Sequence, residues 1–95
     1  MIIQFSGKII YWRGPAPFYF VTVPNKQSQV IKSISKIVTY GWGVIPANAT
    51  IGKTLFYTAL FPKDGHYLVP IKKYVRNAEN LDIEDEISEQ LEFRL

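Results

Sequence analysis

Cysteine is absent from the 95 residues, histidine occurs once, and acidic residues are nearly missing before residue 77. Without cysteine there are no disulfides and no thiolate ligands for a metal. His66 and the lone early acid, Asp64, cannot compose a tetrahedral zinc site by themselves, so neither a metal nor a cofactor is expected. A Ser-His-Asp arrangement would have to use His66, and no serine falls at a sharp strand-to-helix elbow. Paired carboxylates could come only from the C-terminal segment, where Glu84, Asp85, Glu86, Glu89 and Glu92 read as a turn and a solvated strand face. The usual reactive groups are too scarce to point to catalysis. Long apolar runs are missing too. The longest uncharged stretch, residues 37–52, falls short of the roughly 20 residues of a membrane span and contains Gly41, Gly43 and Pro46. The N-terminus opens on alternating residues and not on a basic segment followed by an apolar run. A cytoplasmic protein without membrane contact is therefore expected.

What is present fits one globular domain over residues 1–95. Hydrophobic residues make up 47% and charged residues 20%, so a core can form and disorder is excluded. Area scaling at this mass buries about 65% of the unfolded chain's surface, enough for a single modest core. The net charge of +3 conceals an asymmetry. Residues 1–76 carry ten Lys and Arg against Asp64, a net of +9, and residues 77–95 carry seven acids against Arg94, a net of −6. Two outcomes follow. Either the acidic segment packs against basic neighbours and cancels them, or a face away from it keeps a positive field that attracts anions.

Strand periodicity dominates. Ile3, Phe5, Ile9 and Tyr11 share one face of a strand that runs to about Trp12, with Gln4, Ser6 and Lys8 on the other. Residues 13–17 break it, and residues 18–23 form a second strand rich in aromatic and β-branched side chains. The period then changes: Val30, Ile31, Ile34, Ile37 and Val38 make one stripe of an α-helix, with Asn25 as its N-cap and Gly41 as its stop. Strands return over 44–51 and 54–61, joined by Gly52-Lys53, and Asp64-Gly65 signals a hairpin into residues 66–69. A short helix is expected from Pro70, the proline taking a first-turn position, followed by a turn through residues 81–85. Ile87, Leu91, Phe93 and Leu95 then share the face of a last strand. The order β-β-α-β-β-β-α-β defines a mainly β fold with two helices. Six short strands with one-sided apolar faces are reconciled by a small closed barrel, which removes every edge, with the long helix capping one end. An open sheet with both helices on one face is the alternative.

Gly52-Lys53-Thr54 ends like a phosphate-binding loop, but Ala47 stands where that motif needs glycine, and strands flank it on both sides. A hairpin turn explains it. The set that remains is cationic and aromatic: Trp12, Arg13, Trp42, Lys72 and Arg76. Lys72 and Arg76, four apart, would share a helix face. Gathered at a barrel mouth, these five would pair with an anionic ligand and stack on its ring. The competing explanation makes both tryptophans core or lid residues and pairs Arg76 with Glu79 or the acidic strand. Single-stranded nucleic acid is a second partner, since Tyr11, Phe18, Tyr19, Phe20, Tyr57 and Tyr67 accompany the basic charge. The strand pattern, however, assigns those rings to the core. Self-association, for example as a homodimer, is the third possibility.

Tyr11-Trp12-Arg13-Gly14-Pro15-Ala16-Pro17-Phe18, Val23-Pro24, Gly41-Trp42-Gly43, Thr50-Ile51-Gly52, Leu60-Phe61-Pro62, Tyr67-Leu68-Val69-Pro70-Ile71-Lys72 and Val75-Arg76 follow one another in a familiar order. Over nearly its whole length the chain resembles the bacterial domain-of-unknown-function family numbered nineteen hundred and five in the DUF series. The resemblance implies a small closed β-barrel with accompanying helices, and supplies no activity or catalytic residues. Members stand alone or precede a second domain associated with bacteriocin resistance, an association not carried over to this chain. Two positions depart from the family pattern. Ala59 replaces a common serine, which leaves no hydroxyl there, and Glu84-Asp85 replaces Gly-Asp, which implies a looser turn before the last strand.

Overall fold

A computed structural model describes residues 1–14, 18–38 and 43–94, without the side chains of residues 36–38. The break at Pro15-Ala16-Pro17, the stop at Gly41, and Trp42 and Leu95 lie outside the described residues. The elements are β1 (Ile2–Trp12), β2 (Phe18–Thr22), α1 (Asn25–Val38), β3 (Ile45–Ile51), β4 (Thr54–Lys63), β5 (His66–Pro70), α2 (Lys73–Glu79) and β6 (Glu86–Glu92). They follow the expected order, and the strands close into an antiparallel barrel, β1-β2-β5-β4-β3-β6.

Closure depends on β1 and β6. Residues 2–8 of β1 pair with β6, from Ile2↔Glu92 to Lys8↔Glu86, and residues 9–12 pair with β2. β6 pairs on its other side with β3, from Asn48↔Glu92 to Ile51↔Glu89. Just before β1 changes partner stands Gly7. An added Cβ there would lie 2.8 Å from Val21 Cγ1 and 3.2 Å from the Thr22 carbonyl oxygen, so the strands approach closely at this point.

Alternation fills the interior. Ile3, Phe5 and Ile9 of β1 meet Ala47, Ala49 and Ile51 of β3, Phe56 and Leu60 of β4, and Val69 of β5 in one core. α1 lies where β2 ends and β5 begins, burying Ile31 and Ile34 while Val30 faces outward. Asn25 is the first residue of the helix, one position inside the expected cap. Ser28, buried, secures α1: its Oγ donates to the Val23 carbonyl at 2.9 Å and accepts from the Tyr67 N–H at 3.2 Å. Both bonds offset the desolvation of a hydroxyl in the core.

At the opposite end α2 buries Val75, and its Glu79 carboxylate accepts from Thr54 Oγ1 at 2.6 Å and the Lys53 N–H at 3.3 Å. Gly52-Lys53-Thr54 is thus the β3–β4 turn, clipped to a helix. Pro70 closes β5 opposite Phe20 instead of opening α2, which starts three residues later. As the last strand residue it pairs without needing a donor, and its carbonyl accepts from Thr58 Oγ1 at 3.3 Å. Asp64 and Gly65 both have positive φ, the conformation an Asp-Gly hairpin turn demands.

The turn before β6 is not loosened by Glu84. Its φ is 73°, the left-handed region, and its N–H donates to the Ile9 carbonyl at 2.8 Å while Ile9 N–H donates to the Asp85 carbonyl at 3.0 Å. The turn keeps a glycine-like backbone because those bonds extend the β1–β6 ladder. Glu84→Gly is therefore expected to raise stability by about 0.5–1 kcal/mol in urea denaturation. An unchanged or lower midpoint would show that the left-handed residue costs nothing here. Gly7→Ala should destabilise by about 1–3 kcal/mol, since the added methyl must displace buried Val21.

Candidate functional site

The β1–β2 ribbon separates the residues expected to form one site. Tyr11 and Tyr19 are register partners at its inner face, ring centroids 4.8 Å apart. Arg76 of α2 joins them, its guanidinium carbon 3.6 Å from the Tyr19 ring centroid and its buried Nε without a partner. It therefore stacks on an aromatic instead of pairing with Glu79, which holds the β3–β4 turn. Lys72 occupies the N-cap position of α2, its side chain exposed and its carbonyl accepting from the Val75 and Arg76 N–H groups. The depression beside this end, lined by Tyr19, Lys73, Arg76, Asn77, Leu81 and Asp82, holds ≈ 190 Å³. That is below the roughly 300–1,000 Å³ of small-molecule pockets.

Trp12 points to the other side of the ribbon, with Phe18 as its register partner. Arg13 is exposed directly after it. On this outer face four rings converge: Trp12 and Phe18 meet edge to face at 5.3 Å, Phe18 and Phe20 at 5.2 Å, and Phe18 and Phe61 of β4 at 5.6 Å. Lys63 places its Nζ 5.1 Å from the Trp12 ring centroid. Gly14 leaves room for the indole, since a Cβ there would sit 2.7 Å from it. Leu68, the register partner of Phe61, is only 5% exposed although it lies outside the barrel core. Trp12 nevertheless remains 43% exposed. Phe18, Phe20 and Tyr57 thus stand outside the barrel, contrary to their expected place in the core, while Tyr67 is buried inside it.

Closure also fixes where the charges lie. In the ring of six strands β6 is three positions from β5, diametrically across the barrel. The strands β2, β3, β4 and β5 contain no acidic residue, nor does α1. Acids gather on β6, the preceding turn and the end of α2, with Asp64 alone beside Lys63. Lys8 faces Glu86 across the β1–β6 ladder. The acidic strand therefore meets one lysine in register, while the aromatic side carries Lys63 with Asp64 next to it. His66 Nδ1 lies 3.2 Å from the Asp64 carbonyl oxygen in the exposed turn. No group of three His, Asp or Glu side chains able to hold a metal exists among the described residues.

The family described as Domain of unknown function (DUF1905) matches residues 5–91. The chain belongs to that family. No curated protein matches it. No helix among the described residues of this DUF1905 domain is long and apolar enough to cross a membrane.

One side chain of the DUF1905 domain stands where its residue type does not suggest. Glu89, expected on a solvated strand face, is 2% exposed on the inner face of β6, between Phe5 and Ile51 in register. Neither carboxylate oxygen has a partner. The signal in the sequence was the alternation itself, because residue 89 must share a face with Ile87 and Leu91. Burial raises its pKa from 4.5 to about 8, so the interior holds it as the neutral acid near pH 7. The folded state binds this proton more tightly than the unfolded chain. Stability is thus full below the unfolded pKa and is lost progressively as pH rises to about 8. The span is worth on the order of 5 kcal/mol. Glu89→Met, similar in volume, should flatten that dependence and raise the thermal midpoint most at pH 8 and above. Equal pH slopes for both proteins would contradict the assignment.

Proposed function

We propose that this domain is a bacterial, cytoplasmic, non-catalytic binding module for a ligand that combines a planar ring with negative charge. The observation that carries the proposal is the convergence of Trp12, Phe18, Phe20 and Phe61 outside the barrel with Lys63 over the exposed indole. Rings gathered outside a core have apolar area and π-faces to offer a flat partner. A lysine resting on an exposed ring gains only about 0.5–1 kcal/mol, so it can turn to an incoming anion at small cost. Arg13, exposed at the same strand end, supplies a second cation. Of the residues first grouped as a site, Trp12 and Arg13 belong to this face. Lys72 and Arg76 belong to the α2 end, where the guanidinium is already engaged by Tyr19. The closed barrel supports the proposal by setting β6 across the ring from β5, whose neighbours β2 and β4 carry Phe18, Phe20, Phe61 and Lys63.

A titration of the ¹⁵N-labelled protein with adenosine monophosphate tests it. The Trp12 indole N–H and the Lys63 amide should shift with saturation, the Gln4 and Ser88 amides should stay fixed, and neutral adenosine should bind more weakly. Saturable shifts confined to α2, or none at millimolar ligand, would refute the proposed face.

A further inference from the structure

We infer that the occupant of the outer aromatic face is a single-stranded nucleic acid, an assignment that rests on the ring-plus-anion reading above and specifies its ligand. Shape favours a polymer. A small molecule gains affinity when a concave site buries most of it. Here the rings stand on the outside of a sheet, where they can meet successive bases of an extended strand.

The surface also continues beyond the rings. A groove of ≈ 740 Å³ runs between α1 and the β4–β5 hairpin, lined by Asn25, Gln29, Lys32 and Ser33 on one side and Pro62 and Gly65 on the other. The same hairpin carries Lys63. A chain leaving the rings past Lys63 therefore enters a channel with Lys32 and neutral hydrogen-bonding side chains. That succession of aromatic, cation and polar groove suits a polymer of rings and phosphates.

Charge selects among occupants. α1 contains Lys26 and Lys32 and no acid. The groove on the opposite side, formed by β1, β6 and β3, is lined by Gln4, Ser6, Ser88 and Gln90, already bonded to one another and flanked by Glu86 and Glu92. Asp64 in the hairpin stands against Lys26, Lys32 and Lys63, so the balance of charge draws a polyanion to this side. A second copy of the chain fits less well. Joining two aromatic faces would oppose Lys63 with Lys63, and docking the aromatic face onto the acidic face of another copy would give an open-ended array. A duplex fits less well too, because its base faces are already stacked and the aromatic side presents rings instead of a protruding helix for a groove.

Fluorescence anisotropy of the whole protein with a labelled dodecathymidylate tests the inference, beside a hairpin duplex of equal length and adenosine monophosphate. The single strand should bind at least tenfold more tightly than either competitor. Contact with two or three phosphates should give a slope of log K against log salt of roughly −1.5 to −2. Trp12→Ala should weaken binding roughly tenfold or more by removing a stacking partner. Lys63→Gln should weaken it and reduce the salt slope by about 0.7. Lys8→Gln, on the acidic side, should leave it unchanged. Monophosphate binding as tight as the dodecamer's would overturn the polymer while sparing the ring-plus-anion reading. Absence of binding by both would remove the two together. Duplex preference, equal loss with Lys8→Gln, or concentration-dependent self-association that protects the Trp12 indole would each defeat the single strand as occupant.

Discussion

The insertion of β6 between β1 and β3 is the constraint on which the rest of this molecule depends. Without the last strand, β1 and β3 would each expose a row of unpaired backbone groups, and the core would lie open along one side. With it, every strand has two neighbours and Ile87 and Leu91 complete the interior. The strand that closes the barrel also belongs to the acidic segment of the chain. Covalent order puts the negative charge last, and topology then sets it opposite β5.

Much of this was legible in the residues. Period-two alternation gave the inner face of β1, the shift to a helical period marked α1, and Asp64-Gly65 marked the hairpin. Closure followed from the need to bury six one-sided strands. Which of two neighbouring rings enters the core is a different matter. Tyr19 and Phe20 are both aromatic and adjacent, so apolarity cannot rank them; only the register against β1 and β5 sends Phe20 outward opposite Ile10 and Pro70. The outer cluster depends further on Phe61, more than forty residues away in sequence from its partner Phe18. Glu89 shows the converse. Alternation assigned it to the interior, and a preference for solvated carboxylates argued against the pattern. Local periodicity prevailed because reversing one residue would disrupt the ladders on both sides of β6.

Interior and exterior therefore invert the usual division at a few positions. A carboxyl is enclosed without partners and four large rings stand outside. The enclosed acid makes the fold sensitive to alkaline pH and lies on the side opposite the rings. Phe61 stands in register with buried Leu68 and Lys63 lies over Trp12, so the same sheet that encloses the core also organises an outer surface. Aromatic faces and cations meet where acids are fewest. A ligand with both π-surface and negative charge is the chemistry that such a surface complements.

Barrel closure and charge separation both follow from the position of β6. Interstrand backbone NOEs on the intact protein measure that position directly. A closed barrel predicts simultaneous contacts of Leu91 with Ile3 and with Ala49, together with Val21 to Val69 across the far side. Leu91 contacting only one of its two partners would mean an open sheet with free edges, and would contradict both closure and the separation of charge.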